Sequence, residues 1–546
     1  MHNLFNTFKQ FQDLSGLNIN YDKTEIMPLG PLRVRPQFSG NFSVKWTCGP
    51  VKVLGIYISS KHKDLIELNY GNRIEEIKTM LNIWRTRDLT LIGKVTVVKH
   101  LALPKLIYPL SMLPSPPDKK IQEINKAIYN FIWNGKPDKI KRNILVGTRE
   151  TGGLQVPHIP TLCSSLKITW VKRLMNPNNT GCWKLFMLRH IPLELQQLIW
   201  DCNILYDDLP MSQQLNPFLR EILKTWCNMN SNSQVENIDE VAEQILWWNS
   251  NIKINKQVVF YKNYINEGVR KVKDVVNDDG TFLTYAEFKE RHPGVVTNFL
   301  IYHGLISAIP RDWKSLLQRE TILMEADDEN AVSHSLLLTQ LMFTSTPNKL
   351  IYNKLVSNIR QFPTNTQAKW SHDIHAEIEC ENWTIYYTAA YGSTLSTRLH
   401  AFHYNFLHRT LVTNELLHIL HIKDDNLCTF CKQDVETLKH LFWNCTKVKV
   451  FWEELIEWLD NGRIVLNEID VLLGMENNNN FRIFQNKIYI VAKQFLYYCR
   501  CNNMAPNLIA FRNRLCIVKK VEYSIAIGHN KVNRHNELWD WCPDLD

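Results

Sequence analysis

Nowhere in its 546 residues does the chain hold an unbroken apolar run near the roughly 18 residues that a membrane helix needs. Its richest apolar stretch, LALPKLIYPLSMLP, is interrupted by a lysine and several prolines. The N-terminus, MHNLFNTFKQF, lacks the apolar segment of a secretory leader. Thirteen cysteines, an odd number at mostly wide spacings, are too sparse for a disulfide scaffold. These absences exclude a membrane partner and a secreted disulfide framework, and they predict a nuclear and/or cytoplasmic protein with mostly free thiols. No internal repeat is present, which sets solenoids aside. With 45% apolar and 21% charged residues, the composition is neither fibrous nor disordered. A chain this long exceeds one hydrophobic core and predicts several units.

Net charge is modest at +9, but it is unevenly placed. Between Arg85 and Arg173 stand sixteen Lys and Arg against five Asp and Glu, so the remainder is slightly acidic. A local basic excess suits a surface that tracks phosphates; a merely solvated face is the alternative.

Apolar periodicity predicts a mainly α fold with a small β remnant. LFNTFKQFQDL reads as a short helix, SGLNINYDKTEIMPLG as a turn and strand, and VKVLGIYIS as one strand. Ile74, Ile77, Leu81 and Trp84 fall at helical spacing. Leu91, Val95, Val98 and Leu101 repeat it up to a stop at Pro104. A third helix carries Ile121, Ile124, Ile128, Phe131 and Ile132, closed by Asn134 and Gly135. The polar faces hold Arg85, Arg87, Lys94, Lys99 and Lys126. Short strand-like pieces, VVFYKNYI and GTFLTYAEF, mark residues 176–330 as mixed α+β, and 331–546 returns to helix.

The sharpest motif is CTFCKQDVETLKHLFWNC, a C-x2-C-x8-H-x4-C spacing over Cys428, Cys431, His440 and Cys445. Two cysteines separated by two residues form a knuckle with both sulfurs turned to one point. The histidine and last cysteine supply the other corners of a tetrahedral zinc site. Four protein ligands leave no open position, so such a zinc is structural. Buried unligated thiols or a redox pair are the alternatives, although a redox pair wants a βαβ setting that is missing. Phe430, Phe442 and Trp443, between the ligands, read as a small core, with base stacking by one of them as the alternative.

Other motifs fail on their surroundings. LYDD at 205–208 imitates a polymerase aspartate pair, yet a proline-broken loop follows it. VNDDGTFLTYAEF places Ala286 where a calcium loop needs glutamate. The sequons at Asn41 and Asn382 mean nothing without secretion.

Taken together, the motifs resemble the C-terminal portion of LINE-type non-LTR retrotransposon reverse transcriptases. SGLNINYDKTE and VKVLGIYIS are similar to the last palm motifs, where the turn spanning Asn20 and Lys23 lies near the incoming nucleotide. LTLIGKVTVVKHLALPKLIYPL, FIWNGKPDKIKRNILV and TGGLQVPHI resemble the thumb. LHAFHYNFLHRTLVTNELL, the cysteine motif and IVAKQFLYYCR resemble the zinc-binding C-terminal region. The resemblance implies a palm remnant at 1–64, a basic helical thumb-like domain at 65–175, a connecting α+β region at 176–330, and a helical domain at 331–546 with its zinc module at 428–445. It also implies partners: RNA, RNA–DNA duplex and target DNA, held during target-primed reverse transcription. Candidate nucleic-acid contacts are Lys23, Arg85, Arg87, Lys94, Lys99, Lys139, Lys141 and Arg142. In the family the catalytic aspartates precede SGLNIN, and here fourteen residues do, so no catalytic residue is expected. Mg²⁺ would enter only with a complete palm. Two other functions compete: part of an active RNA-directed DNA polymerase whose palm is supplied elsewhere, or a host-retained zinc-dependent protein-interaction scaffold.

Overall fold

The computed structural model describes residues 2–28, 44–47, 49–59, 61–209, 215–231, 235, 237–318, 336–460 and 464–543. It is mainly α-helical, with three two-stranded sheets among the described residues. The chain forms two compact units, one of Met1–Arg87 with His100–Phe131, the other of Asp88–Lys99 with Ile132–Asp546.

In the first unit, helix His2–Ser15 buries Phe5, which stacks on Tyr21 with centroids 6.1 Å apart. The stretch VKVLGIYIS is not one strand but a hairpin, Val51–Val53 pairing antiparallel with Ile56–Ile58. Leu54 (φ 48°) and Gly55 (φ 83°) make the turn. Two consecutive positive φ values match the twist of a tight hairpin, which the alternating pattern alone conceals. Asn69, fully buried, ties this hairpin to the helices. Its side chain accepts from Tyr57 N at 2.8 Å and donates to Tyr57 O at 2.7 Å and Leu65 O at 2.8 Å. Helices Asn72–Arg85, Pro104–Met112 and Asp118–Ile132 follow. They bury Ile74, Ile77, Leu81, Leu106, Leu110, Ile124 and Ile128. Pro104 therefore does more than stop a helix. It is the first residue of the next one, where its missing N–H costs nothing.

The second unit contains two hydrophobic cores. The first is built from segments between Ile168 and Ile351 around fully buried Trp200, Trp226 and Trp247. Helices Ile159–Met175, Pro217–Ser231 and Pro347–Ser357 pack beside one another in this part of the chain. The strand-like VVFYKNYI resolves into the end of a small hairpin, Lys253–Ile254 with Gln257–Val258, followed by helix Lys262–Asn266. GTFLTYAEF likewise gives one bridge residue, Phe282, and then helix Tyr285–Arg291, begun by a Thr284–Glu287 capping box.

The other core runs from Trp370 to Trp539. Its axis is helix Asn480–Cys501, in which every residue from Asn486 to Lys493 is buried. A helix buried all round must be enclosed by others. Helices Cys380–Ser393, Thr397–Leu407 and Leu508–Gly528 supply that enclosure. No helix of the described residues is long and apolar enough to cross a membrane.

Candidate metal centre and basic surfaces

The four residues with zinc-ligand spacing converge. One donor atom from each of Cys428, Cys431, His440 and Cys445 lies within 4.8 Å of all the others. The first pair sits on a knuckle closed by Cys428 N donating to Asp434 O (2.8 Å), and by an antiparallel bridge between Leu427 and Val435. Lys432 takes a left-handed conformation (φ 59°), and its N–H donates to Cys428 O at 3.0 Å. Phe430 N donates to Cys428 Sγ at 3.4 Å, the amide-to-sulfur contact that stabilises a thiolate.

His440 and Cys445 bracket a single wide turn, His440–Asn444, in which Cys445 N donates to His440 O at 2.9 Å. A five-residue loop of this width brings both side chains to one side, and such turns recur at functional sites. Trp452 Nε1 donates to Phe442 O at 3.0 Å and ties the turn to helix Thr446–Asp460. Phe442 is fully buried against Phe406, centroids 5.0 Å apart, and Phe430 and Trp443 pack on the same core.

The distances fit a tetrahedral ion. Cys428 Sγ and Cys445 Sγ are 3.8 Å apart, and Cys431 Sγ lies 3.3 Å from His440 Nε2. A zinc bound at about 2.3 Å from sulfur gives a tetrahedral edge of about 3.8 Å. Burial lowers the His440 pKa, favouring the neutral ring that a metal requires. The hydrogen bond to Cys445, together with burial, raises Cys428, while the same bond lowers Cys445. Sulfurs this close cannot all ionise unless a cation joins them, and a dication supplies that compensation.

Residues 365–452 match the family model described as zinc-binding in reverse transcriptase. The transposon TX1 uncharacterized 149 kDa protein of Xenopus laevis is 28% identical over 127 residues, which is 22% of this chain and 9% of that protein. The chain thus spans a small share of that relative's length. Both comparisons support the resemblance to the C-terminal region of a retrotransposon reverse transcriptase.

The zinc-binding region has an outer support that spacing does not reveal. Glu436 is fully buried. Its carboxylate accepts from Asn414 N at 2.9 Å, from Thr429 N inside the knuckle at 2.6 Å, and from Arg500 Nε at 3.0 Å. Arg500 Nη2 also donates to Asn414 Oδ1 at 2.9 Å. The sequence offers one hint: two acids, Asp434 and Glu436, lie between the second cysteine and the histidine.

The basic candidates are divided between the two units. Lys23 is exposed on the short turn Tyr21–Lys23, capped by Asn20 Oδ1, which accepts from Lys23 N at 3.1 Å. Arg85 and Arg87 are exposed. Arg85 lines a cavity of about 400 Å³ with Lys78, Asn82, Lys126 and Asn130, and Lys78 pairs there with Glu123 and Glu75. In the second unit, Lys94 is turned inward rather than lying on the polar face. It is 6% exposed, and its ammonium donates to Ile132 O at 3.2 Å and Asn134 Oδ1 at 2.7 Å. Carbonyls at a helix C-terminus attract a cation, and this one is buried there. Lys99 is half-buried and donates to Gln155 Oε1 at 3.2 Å; burial, then the charge of Arg149, lowers its pKa. Lys139, Lys141 and Arg142 are exposed, Arg142 bonding Asp138 at 2.7 Å. The LYDD aspartates stand on a single helical turn, Tyr206–Asp208, with Asp208 paired to Lys253 at 3.1 Å.

Proposed function

We propose that this chain is a nucleic-acid-handling portion of a non-LTR retrotransposon reverse transcriptase, holding template RNA or target DNA rather than performing the chemistry. The observation that carries the reading is the four-donor cluster inside the region matched as zinc-binding in reverse transcriptase. Cys428, Cys431, His440 and Cys445 hold one structural zinc, which fastens the knuckle to the turn before helix Thr446–Asp460. Lys23, Arg85, Arg87, Lys99, Lys139, Lys141 and Arg142 contact backbone phosphates. Lys94 supports the local fold instead, since its ammonium is already engaged within the protein.

A salt titration of RNA–DNA duplex binding tests this. Each phosphate contact releases counterions, so with about five of these side chains on phosphates at once the log–log slope is roughly −4 to −5. Reversing Lys139, Lys141 and Arg142 together should flatten the slope by about one unit for each phosphate no longer neutralised. The same change at Lys253, Lys256 and Lys262 should do much less. Equal slopes for the two triple variants refute the assignment.

A zinc-dependent protein-docking scaffold is the second reading, favoured by exposed Ile419, Leu420 and Ile422 near the knuckle. Weak, salt-insensitive nucleic-acid binding would select it.

A further inference from the structure

Along the sequence Lys139 and Lys141 belong to a short basic cluster with Lys136 and Arg142, and the fold gives them an opposite wall. They line a groove of about 480 Å³ with Gln361, Phe362, Asn365 and His408. The two walls are joined by backbone: Gln361 N donates to Asn143 O at 3.1 Å. The floor is fixed by His408, whose ring bonds Gly152 O at 2.8 Å and which burial keeps neutral. No carboxylate is among the residues lining the groove. The nearest acid along the chain, Asp138, is held by Arg142 at 2.7 Å. Phe362 is 51% exposed, with the Arg360 guanidinium 5.7 Å from its ring centroid.

A half-exposed aromatic ring thus shares this groove with two lysines and two side-chain amides. Lysines attract phosphates without reading bases, whereas a ring face stacks on any base that is not already stacked in a helix. The volume falls within the range of about 300–1,000 Å³ typical of small-ligand sites, enough for a nucleotide but not for a duplex. We infer that this groove takes unpaired nucleotides: the backbone runs along Lys139 and Lys141, and one base stacks on Phe362. The inference rests on the nucleic-acid reading above and makes it specific, because it distinguishes single strands from duplex at this place on the chain.

The test uses the full chain and fluorescence anisotropy with a labelled single-stranded RNA of about a dozen nucleotides, and with the same strand in a blunt duplex. Phe362→Ala should weaken single-strand binding about 5- to 150-fold, the range for losing one stacked base. Duplex binding should not change, and Phe362→Trp should restore the single strand. Lys139→Glu with Lys141→Glu should weaken both probes. Circular dichroism of Phe362→Ala checks that the fold survives, as expected for a half-exposed side chain. Unchanged single-strand affinity in Phe362→Ala overturns the inference, as does an equal loss for both probes. Wild-type binding to duplex alone overturns it while leaving the broader function standing. Binding to neither probe removes both. Displacement of the RNA by polyglutamate at matched charge would assign the groove to acidic peptides and also overturn it.

Discussion

Replacing Glu436 by alanine tests the logic of the zinc-binding region most directly. The carboxylate is fully buried and accepts three hydrogen bonds, from Asn414 N, Thr429 N and Arg500 Nε. The substitution leaves the Arg500 guanidinium, itself 11% exposed, without its counter-charge, and orphans two backbone N–H groups. Breaking one side of a buried ion pair costs about 3–5 kcal/mol, because the remaining charge stays desolvated. Removing both charges, as in Glu436→Leu with Arg500→Met, should cost much less than the single change. Because Thr429 lies between Cys428 and Cys431, the loss should also loosen the knuckle. Outer-shell substitutions at metal sites weaken affinity about 10- to 100-fold. Denaturant unfolding, followed by near-ultraviolet circular dichroism of the buried tryptophans, reads the stability change. Competition with a chromogenic chelator reads the zinc affinity. A cost under about 1 kcal/mol for Glu436→Ala, or a double variant worse than the single, would refute this account of the region.

Two further outcomes follow from the same core. The purified chain should carry about one zinc, and Cys431→Ser should lose it and unfold the knuckle while the first unit keeps its helices; metal analysis with hydrogen exchange checks both. Lys493 is fully buried, donates to Leu472 O at 2.6 Å, and lies 4.5 Å from the Phe406 ring centroid. Burial lowers its pKa from 10.5 to about 7. Between those values the unfolded chain binds a proton that the folded chain releases, so stability should rise with pH across this window and the cost should be complete below about 7. Lys493→Met should abolish this part of the rise, on the order of 4 kcal/mol, as shown by the difference between wild-type and variant unfolding curves at pH 7 and pH 10.5.

How much of the fold is legible in the sequence depends on how far apart the cooperating residues lie. The helices around Ile74–Leu81 and Ile124–Phe131 are readable because a helix repeats its buried face within a few residues. The VKVLGIYIS hairpin hides in an alternating pattern because Leu54 is an unusual choice for a left-handed turn position, and only Gly55 signals it. Pro104 reads as a stop because proline marks either the end of one helix or the start of the next, and the following turn decides which. Glu436 and Arg500 stand 64 residues apart, and nothing local announces that one neutralises the other.

By itself, the sequence determined the chemistry available at the metal centre: the identities of four donors, their spacing, and the short segment that carries two of them. It also concentrated basic residues between Arg85 and Arg173. Which of those charges meets water was left to the tertiary structure. Lys94 points inward because Ile132 O and Asn134, 38 and 40 residues onward, come to its ammonium. Lys139 and Lys141 face a groove because the segment after Arg360 folds against them. An ammonium goes where carbonyls or water can solvate it, and only the packed chain settles where the carbonyls are.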